Sequence, residues 1–86
     1  IMQRKKRIES ILEEYFSEYI YKVDDTSYEH SGHNNFSGND ETHFRITLNS
    51  KNKIKENKLL MHRKINKLLK KEFSSGLHAL EIKVLD

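Results

Sequence analysis

The amino-acid sequence predicts an α+β fold, a two-layer sandwich in which two helices cover a small sheet. Two segments carry apolar residues at helical spacing, and three others carry them at alternate positions. These segments follow one another as helix, strand, strand, helix, strand. A chain of 86 residues is long enough for one small core. We therefore predict a single domain over residues 1–86.

Both predicted helices are amphipathic. The first has an apolar stripe at positions three or four apart, made of Ile8, Ile11, Leu12, Tyr15, Phe16 and Tyr19. The second stripe comprises Leu60, Met61, Ile65, Leu68, Leu69 and Phe73, and it predicts a helix over residues 56–73. The sequence Ser74-Ser75-Gly76 then stops the helix, because glycine can take the left-handed backbone conformation. A short helical turn is expected near residues 74–77.

The three predicted strands are marked by an apolar period of two. Their alternating residues are Tyr21 and Val23, then Phe44, Ile46 and Leu48, and finally His78, Leu80, Ile82 and Val84. Between the first two strands, residues 28–40 hold two of the three glycines among serines and asparagines. This composition predicts a long exposed loop, and such loops often carry function.

Composition excludes several classes of protein. The chain has no cysteine, so it forms no disulfide, offers no thiolate nucleophile and supplies no thiolate ligand of its own. No apolar run reaches the roughly 18 residues that cross a bilayer. Because neither a phosphate-binding loop nor a nucleophile elbow is present, we expect no enzymatic activity. The start at Ile1 leaves room for a preceding targeting segment, and we expect a cytoplasmic or mitochondrial protein that is not secreted and binds no membrane.

Five histidines are the main candidates for chemistry, since imidazole binds metals and changes charge near neutral pH. His30 and His33 lie in the predicted loop, where their spacing alone cannot complete a tetrahedral zinc site. His43 is expected on the polar side of the second strand, in a cross-strand hydrogen bond. His62 lies within the second helix. His78 shares the parity of the apolar residues of the last strand, so a partly buried structural role is the alternative to metal binding.

Four short strings occur in order along the chain and fall on separate predicted elements. They are Ser27-Tyr28-x-His30-x-Gly32-His33, Glu41-Thr42-His43-Phe44-x-Ile46, His62-Arg63 and His78-Ala79-Leu80. Together they resemble the BolA family over nearly the whole chain. The resemblance implies the BolA fold, a three-stranded mixed sheet with helices on one face and a short helix before the last strand, related to the class II KH arrangement.

The resemblance also implies a function. BolA-like proteins are adaptors that pair with monothiol glutaredoxins, share a bridging 2Fe-2S cluster with them and glutathione, and act in iron-sulfur trafficking or iron regulation. Carried onto this chain, the two ligand positions are His33 and His78, with His30 and His62 as secondary candidates. We expect the isolated chain to be a monomer that binds no cluster, and to form a heterodimer with its partner.

The alternative is a nucleic-acid-binding transcriptional regulator built on the KH-like shape. The net charge is +3, and a basic cluster lies within the second predicted helix: Arg63, Lys64, Lys67, Lys70 and Lys71. A solvated helix surface is the simpler interpretation of such a cluster. The Gly-x-x-Gly loop with which KH domains grip a nucleic-acid backbone is absent. DNA therefore stays the second candidate partner.

Overall fold

A computed structural model describes residues 2–30, 41–52 and 56–85. Its elements in chain order are α1 (Arg4–Tyr15), β1 (Tyr19–Asp25), a 3₁₀ helix (Ser27–His30), β2 (His43–Ser50), α2 (Lys58–Leu68), α3 (Lys70–Ser74) and β3 (Ala79–Leu85). In the described ranges, no helix is long and apolar enough to cross a membrane.

The three strands form one mixed sheet with β2 in the centre. β1 pairs with β2 antiparallel, and β3 pairs with β2 parallel. One row across the sheet runs Val23, Ile46, Ile82 and carries the apolar side. The predicted three-stranded α+β architecture is confirmed.

The core lies between the helices and the apolar side of the sheet. Ile8 and Leu12 of α1 pack in the same buried cluster as Ile46 of β2 and Ile65 of α2. These four side chains are at most 1% exposed. Burial of such a cluster supplies the main driving force for folding.

The observed helices differ from the prediction at their ends. α1 stops at Tyr15, and the amide of Phe16 bonds to the carbonyl of Leu12 at 2.8 Å, so Tyr19 is the first residue of β1 rather than part of the helix. The second predicted helix is divided at Leu69 into α2 and α3. The short helix is thus Lys70–Ser74, earlier than the turn expected near residues 74–77.

The structure differs in detail from the prediction at the loop between β1 and β2 and at the start of α2. The first four residues after β1 and Thr26 form the 3₁₀ helix Ser27–His30, while residues 31–40 of the predicted loop lie outside the described residues. α2 begins at Lys58, two residues later than predicted, because the side chain of Asn57 caps it by accepting a hydrogen bond from the amide of Leu60 at 3.1 Å. Gly76 has a φ of 124°, as its proposed role at a helix stop requires.

Candidate functional site

Two histidines lie side by side where β2 and β3 begin. Parallel strands start at the same edge of a sheet, and the register pairs His43 with Ala79, which puts His78 next to His43. Their ring centroids are 5.3 Å apart, with an angle of 43° between the planes. His43 is only 5% exposed, whereas His78 is exposed to solvent. We call these two residues the histidine pair.

Hydrogen bonds to the backbone hold the histidine pair in place. The carbonyl of Thr42 accepts the amide of His78 at 2.8 Å and that of Ala79 at 3.2 Å. On the other side of β2, the hydroxyl oxygen of Ser27 accepts the amides of Thr42 at 2.9 Å and His43 at 3.1 Å. Both histidines therefore project from backbone that is bonded to neighbouring segments, not from a free loop.

The histidine pair borders a depression of about 260 Å³ with charged residues around it. Nδ1 of His43 lies 3.0 Å from the hydroxyl of Thr42. Glu29, Arg45 and Glu81 also line the depression. Arg45 donates to Glu81 at 3.0 Å, and this hydrogen bond raises the pKa of the arginine above its ordinary value. The surroundings of the exposed imidazole thus combine carboxylates with a paired guanidinium.

The described residues do not assemble a complete metal site by themselves. Within residues 2–30, 41–52 and 56–85, no group of three or more histidine or carboxylate side chains could hold an ion. An exposed imidazole can still serve as one ligand if other molecules or other parts of the chain supply the rest. Among the described residues, the donors near His78 are thus fewer than a complete metal site requires.

The other predicted ligand positions fare differently. His33 lies outside the described residues, and so does the side chain of His30, so their convergence with His78 stays a prediction. His62 is half-buried on α2, where its carbonyl accepts the side-chain amide of Asn66 at 2.7 Å. The residues that line the depression beside His78 do not include His62.

The proximity of His43 to His78 is the feature that sequence reasoning missed. The alternation along β2 predicts His43 on its polar side, but His43 is buried, because the chain from Thr26 onward lies against the start of β2. The amide of Thr26 donates to the carbonyl of His43 at 2.8 Å. The signal was available in principle, since two strands joined by a helix run parallel and begin at one edge. His78, in contrast, precedes β3 and is exposed rather than partly buried with Leu80.

The basic cluster of the sequence is solvent-exposed. It comprises Arg63, Lys64 and Lys67 on α2 and Lys70 and Lys71 on α3, all exposed. Lys64 also lies over the ring of Phe16, with its Nζ 5.2 Å from the ring centroid. Exposed cations of this kind suit either a solvated surface or contacts with phosphates.

Comparison with known proteins decides the family. The profile of the family described as BolA-like protein matches residues 12–86. The chain belongs to the BolA-like family. Among curated relatives, this BolA-like chain is 36% identical over 84 residues to Protein BOLA1, chloroplastic, of Arabidopsis thaliana, covering 95% of the chain and 52% of the relative. It is 37% identical over 82 residues to an uncharacterized protein in the cobS 5'region of a Sinorhizobium species, covering 94% and 88%.

Solved structures agree with this assignment. BolA1 from Arabidopsis thaliana superposes with a TM-score of 0.77 at 35% identity, covering 98% of the BolA-like chain and 92% of the other. The BolA domain of SufE1 from the same plant gives a TM-score of 0.78 at 36% identity, with the same two coverages. The predicted BolA fold is therefore confirmed. The BolA-like chain spans about half the length of Protein BOLA1, 52%.

Proposed function

We propose that this chain is a non-enzymatic adaptor that binds a monothiol glutaredoxin and shares a bridging 2Fe-2S cluster with it and glutathione, in iron-sulfur trafficking or iron regulation. The observation that carries the proposal is the exposed imidazole of His78 at a fixed strand entrance. The cluster is the cargo of such an adaptor rather than a resident group of this chain.

The position of His78 suits a ligand that a partner must reach. Its amide is bonded to the carbonyl of Thr42 at 2.8 Å, so the backbone is fixed while the side chain is open to solvent. A ligand on a rigid element loses little entropy when it binds. His78 can thus present its imidazole to a site on another protein from a backbone that is already held in place.

The composition of the chain suits a shared site. Without cysteine, it can contribute imidazole but no thiolate, so the sulfur ligands must come from the glutaredoxin and glutathione. Histidine in place of cysteine on one iron of a 2Fe-2S cluster raises its reduction potential. We propose His33 as the second ligand from this chain, with His30 and His62 as secondary candidates.

The proposed compartment is the cytoplasm or the mitochondrion. One relative, SufE-like protein 1 of Arabidopsis thaliana, is named chloroplastic/mitochondrial and is 39% identical over 83 residues, which make up 22% of its length. The name of that protein supports an organelle as a location for BolA-like domains, and the proposal for this chain includes one.

The decisive experiment mixes the chain with cluster-loaded monothiol glutaredoxin and glutathione under anaerobic conditions. Absorption and circular dichroism spectra should change on mixing with the parent chain, and the change should be altered or lost with His78→Ala. Asn49→Ala, an exposed change on β2 six residues beyond His43, is the control and should behave like the parent. An unchanged spectrum and no complex with the parent chain would overturn the adaptor proposal, whereas a His78→Ala variant identical to the parent would remove His78 as a ligand.

A second pair of variants tests the loop ligand. His33→Ala should change the lifetime or the reduction potential of the shared cluster more than His30→Ala does. Both positions lie in the same segment and carry the same side chain, so the comparison isolates the position of the imidazole. Equal effects would mean that His33 has been wrongly chosen over His30.

The second candidate function, nucleic-acid binding, is favoured by the exposure of the basic cluster on α2 and α3. Binding that depends on phosphate contacts weakens steeply as salt rises. A salt titration with duplex and single-stranded DNA tests this candidate. Submicromolar, strongly salt-dependent binding that is weakened by Lys67→Gln but not by Lys22→Gln would favour it over the adaptor.

A further inference from the structure

The guanidinium of Arg4 joins the two chain segments that lead into the histidine pair. Its Nη1 donates to the carbonyl of Glu41, two residues before His43. Its Nη2 donates to the carbonyl of Ser75 at 2.8 Å and to the hydroxyl of the same residue at 3.1 Å, three residues before His78. A single side chain near the start of α1 therefore spans both approaches to the site.

A buried carboxylate fixes the orientation of that guanidinium. Nε of Arg4 donates to Glu72 at 2.8 Å, and both residues are 6% exposed. Glu72 also accepts two hydrogen bonds from Arg7, at 2.8 and 2.9 Å. With Nε held by Glu72, Nη2 reaches Ser75 at the end of the same helix, and Nη1 is left to reach Glu41.

The backbone on both sides has unusual conformations that accommodate Arg4. Glu41 has a φ of 73°, and its side chain accepts the amide of Arg4 at 2.7 Å. Gly76 has a φ of 124°, and a Cβ there would be 3.4 Å from Nη2 of Arg4. Left-handed conformations cost energy outside glycine, so the surrounding contacts must stabilise the backbone at Glu41.

The hydrogen bond between His78 and Thr42 depends on how close the segments around them lie. The amide of His78 reaches the carbonyl of Thr42 only while residues 41–43 and 75–78 stay adjacent. Just before this bond, Arg4 connects Glu41 with Ser75, and the carbonyl of Glu72 accepts the amide of Leu77 at 2.9 Å. These contacts lie just before the first residues of β2 and β3, at the end of the sheet where the histidine pair is found.

We propose that Arg4 is a positioning residue for the histidine pair: it holds residues 41–43 against residues 75–78, so that the imidazole of His78 is presented beside that of His43. Any effect of Arg4 on a shared cluster rests on the proposed function. The contact between residues 41–43 and 75–78 belongs to this chain alone, and it is measured without a partner.

A lysine cannot replace Arg4 in this role. The planar guanidinium has donors in three directions, and here they reach Glu72, Glu41 and Ser75. A lysine ammonium is a single point that can keep the charge near Glu72 but cannot span the other two acceptors. Arg4→Lys thus separates positioning from simple charge balance.

Arg7→Lys is the matched control, because Arg7 shares the Glu72 carboxylate but its hydrogen bonds go to Glu72 and Met2. The readout is amide hydrogen exchange at two positions. The His78 amide reports the bond to Thr42, and the Leu69 amide, bonded to Ile65 at 2.9 Å, reports the helical core. A second readout is the ring-to-ring nuclear Overhauser contact of the histidine pair.

Arg4→Lys should speed exchange at His78 relative to Leu69 by roughly ten- to a hundredfold, the equivalent of losing about one charge-assisted hydrogen bond. The contact between the two imidazole rings should weaken as well. Arg7→Lys should leave both unchanged. Equal acceleration at both amides, or no acceleration at His78, would overturn the proposal, since a purely stabilising residue moves both amides together.

Two additions keep the test informative. If Arg4→Lys does not fold, Ser75→Ala removes one acceptor of Arg4, the hydroxyl, and should give a smaller increase in the exchange rate at His78 with Leu69 unchanged. No increase would overturn the proposal.

If Arg4→Lys speeds exchange at His78 while the parent chain gives no cluster spectrum with glutaredoxin, the positioning role stands and the proposed function fails. If both hold, the same variant should alter the circular dichroism of the shared cluster.

Discussion

Two basic regions of this chain look alike in sequence, but only the first has a buried cation in the folded protein. Residues 4–7 read Arg-Lys-Lys-Arg, and residues 63–71 contain five more cations. In the first region, Arg4 is buried and both arginines bind Glu72. In the second region, the cations are exposed. A run of positive charge therefore does not by itself indicate an external partner.

The difference comes from one carboxylate that is distant in sequence. Glu72 lies on α3 and is brought against α1 by the packing of the helical layer. A charge leaves water only when paired and hydrogen-bonded, and Glu72 offers both oxygens to two guanidinium groups. Residues 4–7, called the internal region for the buried Arg4, should therefore respond to substitution and to acid differently from residues 63–71, called the exposed region.

The largest effect is expected for Glu72→Gln, which leaves Arg4 and Arg7 without their carboxylate. Breaking a buried ion pair by removing one partner costs about 3 to 5 kcal/mol. Lys67→Gln in the exposed region should change the free energy of unfolding by less than about 0.5 kcal/mol. Urea unfolding monitored by circular dichroism measures both. Similar values for the two variants would contradict the contrast.

Gly76→Ala should be the next most damaging change. The added methyl meets Nη2 of Arg4 at 3.4 Å, and the φ of 124° is unfavourable for alanine. Strain of this kind costs about 1 to 3 kcal/mol. Ser74→Ala, an exposed change at the end of α3, is the control and should be close to neutral. A thermal melt of Gly76→Ala that matches the parent would show that the backbone relaxes at no cost.

Acid should weaken the internal region selectively. The hydrogen bond from Arg7 and then that from Arg4 lower the pKa of Glu72 below its ordinary value of 4.5, against the opposing effect of burial. A lowered pKa in the folded state means that the stabilisation is present above about pH 4.5 and is lost as the pH falls through the folded value.

The measurement is urea unfolding of the parent and Glu72→Gln at several pH values from neutral to acidic. The difference in unfolding free energy between them should shrink as the pH falls below 4.5, the ordinary value for Glu72. A difference that stays constant would mean that the pKa of Glu72 is the same in the folded and the unfolded state.

The smallest effect is expected for Lys64→Gln, because Lys64 differs from Lys67 in its contact with an aromatic ring. Lys64 lies 5.2 Å from the ring centroid of Phe16, and such a cation–π contact at a surface is worth about 0.5 to 1 kcal/mol. Lys64→Gln should therefore destabilise slightly more than Lys67→Gln. The melting temperatures of the two variants in the same buffer test this. Equal shifts would show that the cation–π contact does not contribute to stability.

Much of the fold was accessible from local patterns. The alternation of Phe44, Ile46 and Leu48 predicted β2, because a half-buried strand must place apolar side chains on one side. The end of α1 could not be predicted in this way, since Tyr19 continues the helical spacing yet begins β1. An apolar side chain can satisfy the same core from either element, so spacing alone did not separate them.

The candidate site was partly predictable. His78 was singled out from the resemblance to BolA-like proteins, and the structure shows it exposed beside the start of β2. The burial of His43 and its ring contact with His78 depend on the parallel pairing of β2 with β3. Alternation in single strands carries no information about which strands become neighbours.

By itself, the sequence determined the helix and strand order, the apolar sides that form the core, and the supply of imidazole without thiolate. These follow from local periodicity and from composition. Only the tertiary structure decided that Arg4 and Glu72 meet across 68 positions and that His43 and His78 share one edge. Such contacts arise from packing distant segments around one core, and the energy that selects them is absent from any single stretch of chain.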